Sequence, residues 1–562
     1  MKVSDIEYKR VNFEETAEAV KSCTNDIRTA KNIEQILKAR EKYVEKMVEF
    51  STYSALSYMR YTLNTENEFY SGEKEYYDQV EPELQSLQIQ YYRAMLESPF
   101  RKELEERLSP VLFRDMEVSC KAISPEIVSD LVEENRIITE YSDLMASLEF
   151  EFRGEKMPRT VLTKYFSEDD RNTRKEAYEA MGRGFKPVEE KLDDIFDRLV
   201  KVRDKMARKM GYKNFVQLGY YRMGRLCYDE KMVKKFRNNV AKDIVPAVAK
   251  LKTENGKRLG ILDFKVYDDG VVIPGGDPKP SDNKEDIFRA ATEMYHEMSP
   301  DTGSFIDMMM ENEAFDVVSR KNKWGGGYCT SFMKFDQPFI LANFNGTAGD
   351  VDVMTHEAGH AFADYMIRNN RFKAELNVGG METAETHSMS MEFFAWKYIS
   401  KFFGHDTDKY KYMHAFNAFS FIPYGTMVDE FQHIVYECPN LTAKDRKDVW
   451  KELEKKYRPY MSIEGIPYIE DGNRWQYQMH IFETPFYYID YVLAQTAAFQ
   501  FLILSLKDYD MAFKKYLNFV KCGGEKVFTD LLKDAGLRSP FEENALKDIA
   551  GEVLMMFEKI KA

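Results

Sequence analysis

His356-Glu357-Ala358-Gly359-His360 sets two imidazoles four positions apart, with a carboxylate directly after the first. On an α-helix residues i and i+4 lie one above the other, so both histidines can hold one metal ion. Glu357 sits one step around the same helix, where it can reach into the cleft without ligating and take a proton from water. With eight histidines in 562 residues, this pattern is expected by chance only about 0.01 times. Flanking residues also read as helical. Thr347-Ala348-Gly349-Asp350 has the form of a capping box upstream, and Val353, Phe362 and Met366 give the segment an apolar side.

A catalytic zinc site takes three protein ligands and leaves a fourth position open, so another donor has to come from elsewhere. Glu375, Glu382, Glu385 and Glu392 are the acidic candidates downstream. Glu385 and Glu392 lie two turns apart on one helical face, and spacing alone does not choose between them.

Working outward, the residues up to about 250 carry apolar positions at intervals of three and four, as in Ile127, Val128, Leu131 and Ile137. That half reads as helical. Ser124-Pro125 looks like a helix start, and Ser167-Glu168-Asp169-Asp170 resembles a capping box. The tyrosines at 58, 61, 70, 76, 77, 91 and 92 read as helix-packing core. Residues 255–284 form a turn-rich insertion, marked by Asn255-Gly256, Asp269-Gly270 and Pro274-Gly275-Gly276-Asp277-Pro278. Around 315–344, β-formers surround Gly325-Gly326-Gly327-Tyr328-Cys329, which predicts a hairpin or short sheet. Helical patterning resumes at Thr347 and continues onward.

Composition narrows the function classes. Hydrophobic residues at 44% and charged residues at 31%, with 18 prolines and 29 glycines, describe an ordinary globular chain. A formal charge of −14 argues against nucleic acid as a partner, because polyanion binding needs basic faces. The six cysteines are scattered singly, as expected for reduced thiols. No leader segment is read at Met1-Lys2-Val3-Ser4-Asp5, and no apolar run is expected to reach the roughly 20 residues of a membrane span. A cytoplasmic location is expected, with no membrane partner. The triplets Asn345-Gly346-Thr347 and Asn440-Leu441-Thr442 are read as chance glycosylation patterns.

Three runs together resemble the metal centre of the oligoendopeptidase F and thimet oligopeptidase family of zinc metallopeptidases, most of all its shorter bacterial, Pz-peptidase-like branch. They are Asn343-Phe344-Asn345-Gly346-Thr347, the HExxH segment with Ala361-Phe362, and 384–394 with Glu385, His387 and Glu392. The resemblance implies that His356, His360 and Glu385 ligate zinc and that Glu357 is the general base. Glu392 would then orient a ligating imidazole.

A second landmark of the family is an aromatic helix after a histidine, matched here by His480 through Tyr491. By this resemblance His480, Tyr488 and Tyr491 steady the oxyanion of a tetrahedral intermediate, each such donor being worth about 3 kcal/mol. The choice among Tyr487, Tyr488 and Tyr491 stays open. A third landmark is the glycine-bearing strand beside the substrate, which assigns Gly326, Gly327 and Tyr328 to peptide binding.

The implied fold is mainly α and bilobal, with a small β element beside a deep channel. Residues 1–200 would form part of the channel wall, and 201–562 the catalytic region. The implied activity is internal cleavage of short peptides by a monomer or small homo-oligomer. Two alternatives use the same residues. A helix-bundle di-iron carboxylate site could combine Glu357, His360, Glu385 and Glu392 with Glu430 and His433. A catalytically inactive peptide-binding relative is the other, although it would not need Glu357. His296, His405, His414 and His433 lack an HExxH partner and read as structural.

Overall fold

Three long helices open the chain: α1 (Phe13–Thr29), α2 (Ile33–Leu63) and α3 (Glu68–Leu96). Each starts where an asparagine side chain accepts a free backbone N–H, Asn12 from Glu15, Asn32 from Gln35 and Asn67 from Tyr70. The three pack on one another, and Tyr43 of α2 stacks on Tyr91 of α3 at 3.6 Å. These coordinates are a computed structural model that describes residues 1–281, 283–370, 375 and 380–560.

The helical reading of the first half misses a hairpin, β1 (Glu149–Phe152) against β2 (Glu155–Pro158). Arg153 and Gly154 both take positive φ, 53° and 85°, as a two-residue turn matched to strand twist requires. Three local readings also shift. The helix Arg171–Phe185 is capped by Asp170, which accepts from Thr173 N, and not by Ser167. Ser124-Pro125 does open a helix, through a 3₁₀ turn (Pro125–Ile127) that runs straight into Val128–Ser147, but the Ser124 side chain makes no cap bond. Asn255-Gly256 lies inside the helix Val245–Arg258, because Asn255 donates its amide to Val271 O at 2.9 Å instead of turning the chain.

Strands β3 (Phe315–Val318), β4 (Tyr328–Phe332) and β5 (Gln337–Phe344) form the expected small sheet in the order β3-β5-β4. β5 runs parallel to β3 and antiparallel to β4, so β4 is an edge strand. The glycines 325–327 lie in the turn ahead of β4 and not within it. Gly326 leaves room for the Trp324 ring, which a Cβ would meet at 2.0 Å.

Four helices complete the core: α4 (Gly349–Met366), α5 (Met381–Phe394), α6 (Thr407–Glu437) and α7 (Tyr488–Lys507). α5 packs between α4 and α7, and α6 packs on α7. Val492, Leu493, Phe499 and Phe501 of α7 are fully buried, and each such side chain contributes about 1.5–3 kcal/mol. Burial on nearly every face explains why α7 is apolar and long enough, at 20 residues, to cross a bilayer. No run of that kind was expected from the sequence; 72% of its apolar window lies inside the protein. All six cysteines are free thiols.

Candidate metal centre

His356 and His360 project one turn apart from α4 toward α5. Between them Gly359 lets the two backbones touch, since a Cβ there would lie 2.6 Å from Ser388 Cα and 3.0 Å from His387 O. That close approach brings Glu385 of α5 opposite both imidazoles. Its Oε2 lies 3.3 Å from His356 Nε2 and 3.5 Å from His360 Nε2. Tetrahedral zinc with bonds near 2.0–2.1 Å needs donors about 3.3 Å apart, so the set fits that ion. Among the described residues it is the one group of three donors close enough to share a metal.

The α4 start departs from a capping box. Asp350 accepts from the backbone N–H groups of Asn345 and Gly346 at 2.9 and 2.7 Å, and the N-cap Ala348 makes no side-chain bond. The carboxylate therefore fastens the loop from β5 onto the helix that carries the histidines.

Behind His356 runs a chain of hydrogen bonds. His356 Nδ1 donates to Glu392 Oε1 at 2.7 Å, which leaves Nε2 as the nitrogen that faces Glu385. Glu392 Oε2 lies 2.7 Å from His414 Nε2, and Trp396 donates its indole N–H to His414 Nδ1 at 2.9 Å. An indole can only donate, so Nδ1 of His414 accepts and Nε2 carries the proton given to Glu392. His414, read from sequence as merely structural, belongs to the support of the site. No spacing pattern links position 414 to 392, because the contact crosses from α6 to α5.

Burial opposes charge throughout, and local partners decide the outcome. Burial disfavours the Glu385 carboxylate, yet the two imidazoles hold it well below its ordinary range. Burial likewise opposes protonation of His356, but the hydrogen bonds its ring donates to the Glu385 and Glu392 carboxylates raise its pKa. Glu357 is raised by burial, partly offset by His356 and His360. Its charge, with that of Asp364, is felt at Cys329, whose thiol is raised mainly by burial. The helix α4 packs on the edge strand β4, which Ser331 ties to Asp364 of α4 at 2.8 Å. The Tyr328 phenol is already engaged with Thr62 of α2 at 2.6 Å.

Opposite these residues lies the aromatic segment. Tyr487 donates to Glu385 Oε1 at 2.5 Å. Tyr491 lies 4.8 Å from the Tyr487 ring and 5.9 Å from His480, and the charge of Glu385 adds to the burial that raises its phenol pKa. Tyr488 also borders His480, at 5.1 Å, but its ring packs toward Phe421 and Tyr424 of α6. Of the three tyrosines, Tyr487 alone hydrogen-bonds a member of the donor set, a link to Glu385 that the sequence did not announce. His480 Nδ1 accepts from Gln478 at 3.0 Å, and burial lowers its pKa to about 4. It is thus neutral at ordinary pH, with Nε2–H free to donate.

The remaining candidates lie elsewhere. Glu375 pairs with Arg40, and Glu382 is buried against Tyr228. Glu430 is held by Lys456 at 2.6 Å and by Tyr457, while His433 bonds Tyr220 at 3.0 Å. Neither joins Glu385 or Glu392, so the di-iron constellation is not assembled among the described residues. His296 pairs with Asp307 at 2.8 Å, and His405 is exposed.

A cavity of about 590 Å³ extends from Gln88 and Tyr92 of α3 to Met381 and Tyr487. A second, of about 490 Å³, lies between α2 and α3 and shares Gln85, Gln88, Tyr92 and Glu375 with the first.

Comparison with known proteins agrees with this geometry. Residues 3–123 match the Peptidase M3 N-terminal domain, and residues 283–551 match Peptidase family M3. Oligopeptidase PepF of Bacillus subtilis strain 168 is 22% identical over 542 residues, covering 91% of this chain and 78% of its own length. The solved structure of Pz peptidase A with inhibitor 2 is 42% identical, covers 100% of both chains and superposes with a TM-score of 0.95. Oligoendopeptidase-F from Enterococcus faecium, 15% identical with a TM-score of 0.65 over 98% of this chain and 97% of its own, shares the fold.

Proposed function

Because the chain belongs to peptidase family M3 and is a metallopeptidase acting on oligopeptides, we propose that it is a zinc-dependent endopeptidase that cuts internal bonds of short peptides. The observation that carries this reading is the convergence of His356, His360 and Glu385, with Glu357 one residue along α4 and free of ion pairs among the described residues.

When bound, zinc supplies Lewis acidity, polarising the scissile carbonyl and bringing the pKa of water toward about 7. Glu357 accepts the proton from the attacking water and returns it to the leaving amine; its burial-raised pKa suits both halves of that transfer. His480, through Nε2–H, and Tyr491 donate to the developing oxyanion. Tyr488 flanks His480 and fixes its ring. Glu392 sets the tautomer of His356, and Tyr487 fixes the carboxylate of Glu385.

The free edge of β4 offers main-chain hydrogen bonds to an extended peptide, with Gly326 and Gly327 at its entrance, where Gly326 accommodates the Trp324 ring, and Tyr328 at its start. Residues 1–200 contribute α2 and α3 to the cleft wall, and 201–562 contribute the donors and the aromatic helix; the cavity lined by Gln88 and Tyr92 of α3 reaches Tyr487, which bonds Glu385, and this supports the reading. A cleft so lined favours short chains over folded proteins.

The test uses peptides blocked at both termini. Zinc-stripped protein should leave them intact, and about one zinc per chain should restore a single internal cut seen by mass spectrometry. Cleavage of free-ended peptides only, or activity indifferent to chelation, would overturn the proposal.

A further inference from the structure

Phe486, immediately before Tyr487, has φ +70° although it is a bulky residue and is fully buried. Non-glycine residues rarely adopt that region, and surrounding structure must hold them there. Both peptide groups of Phe486 are gripped by side chains. Its N–H donates to Gln432 Oε1 of α6 at 2.8 Å, and its carbonyl accepts from the Arg225 guanidinium at 2.5 Å. The ring is clasped by Tyr220, His433 and Tyr436, with centroids 5.0 to 5.6 Å away. Room for it exists because position 219 is glycine; a Cβ there would lie 2.6 Å from the ring.

Arg225 is itself fixed. It lies over the Tyr220 ring at 4.1 Å and donates to Asp490 Oδ1 of α7 at 3.3 Å, and Tyr228 donates to the same oxygen at 2.6 Å. The guanidinium thus joins the turn before α7 to the first turn of that helix. Release of Phe486 to an ordinary backbone conformation would rotate the next peptide plane and swing Tyr487 away from Glu385.

We propose that Arg225 and Gln432 are positioning residues, forming a latch that holds Phe486 in its left-handed conformation and thereby aims the Tyr487 phenol at Glu385. The latch rests on the reading of Tyr487 given above. It touches neither the donor set nor the cleft, so an effect on turnover has to travel through the turn and the helix start that it holds, and the Tyr487→Phe background shows whether Tyr487 carries it.

The experiment places Arg225→Lys, Gln432→Met and Gln432→Glu alone and in a Tyr487→Phe background, reading kcat, KM and bound zinc on the zinc-loaded enzyme. Arg225→Lys and Gln432→Met should each lower kcat about tenfold or more with KM changed by less than about twofold. Gln432→Glu keeps an acceptor oxygen and should retain most of the turnover. In the Tyr487→Phe background none of the three should subtract further, the non-additivity expected of residues acting through one group. The Gln432 pair carries the test independently of Arg225, whose buried charge also pairs with Asp490. Losses that multiply in the double variants, or full turnover in Gln432→Met, would overturn the latch. Unaltered turnover in Tyr487→Phe alone would overturn the role of Tyr487 instead.

Discussion

Tyr487 donates to Oε1 of Glu385 at 2.5 Å, while Oε2 of the same carboxylate faces His356 at 3.3 Å and His360 at 3.5 Å. One carboxylate therefore divides its oxygens between a phenol and the metal position. The division fixes its rotation, which a carboxylate on a helix would otherwise be free to change. Tyr487→Phe should weaken zinc binding by about 10–100-fold, measured by competition with a chelator. Unchanged affinity would mean that the hydrogen bond does not orient the ligand.

Glu392 stands between His356 and His414, with 2.7 Å contacts on both sides. Glu392→Gln can turn an amide N–H toward an imidazole and disturb the tautomer of His356, so zinc affinity should fall by about tenfold. His414→Phe acts one bond further out and should cost less. A larger loss from His414→Phe than from Glu392→Gln would refute this order.

The contact at Gly359 is between backbones, and a Cβ would meet Ser388 Cα at 2.6 Å. Gly359→Ala has to push α4 and α5 apart, which overpacking data value at about 1–3 kcal/mol. The thermal midpoint and the bound zinc should drop together. A variant with both unchanged would show that the helices are not in the contact described.

Burial, reinforced by Asp490, pushes Glu382 up to about 8, and burial pushes Asp490 up to about 6. A carboxyl whose folded pKa exceeds its unfolded value binds its proton more tightly in the folded state. Stability is then greatest below the unfolded value and is lost as pH rises toward the folded one. For Glu382 that window runs from its ordinary 4.5 to about 8. Urea unfolding between about pH 6 and about pH 8 should show stability falling with pH, by at most about 1.4 kcal/mol per unit for one proton. Glu382→Gln should flatten the slope; an unchanged slope would place the proton elsewhere.

Much of the centre was legible because it rests on local geometry. The i, i+4 histidines and Glu357 follow from helix periodicity, and Glu385 and Glu392 came from the resemblance of one contiguous run. What stayed hidden depends on contacts between distant segments. Tyr487 could not be separated from Tyr488 and Tyr491, because the turn that aims it is set by Arg225 and Gln432. His414 carries no motif and acts only where α6 meets α5. The two capping-box readings failed for a similar reason: Asp350 and Asp170 each found backbone partners other than those that sequence spacing suggests. The β1–β2 hairpin lay within a helical stretch, and its signals were the Glu149-Phe150-Glu151-Phe152 alternation and the Arg153-Gly154 turn.

Glu357→Gln tests the central claim most directly. It preserves shape and leaves His356, His360 and Glu385 untouched, so the variant should bind about one zinc per chain and lose about a thousandfold or more in kcat on a blocked peptide. Near-normal kcat in the zinc-loaded variant would contradict the account, because the proton would then be moved by some group other than Glu357.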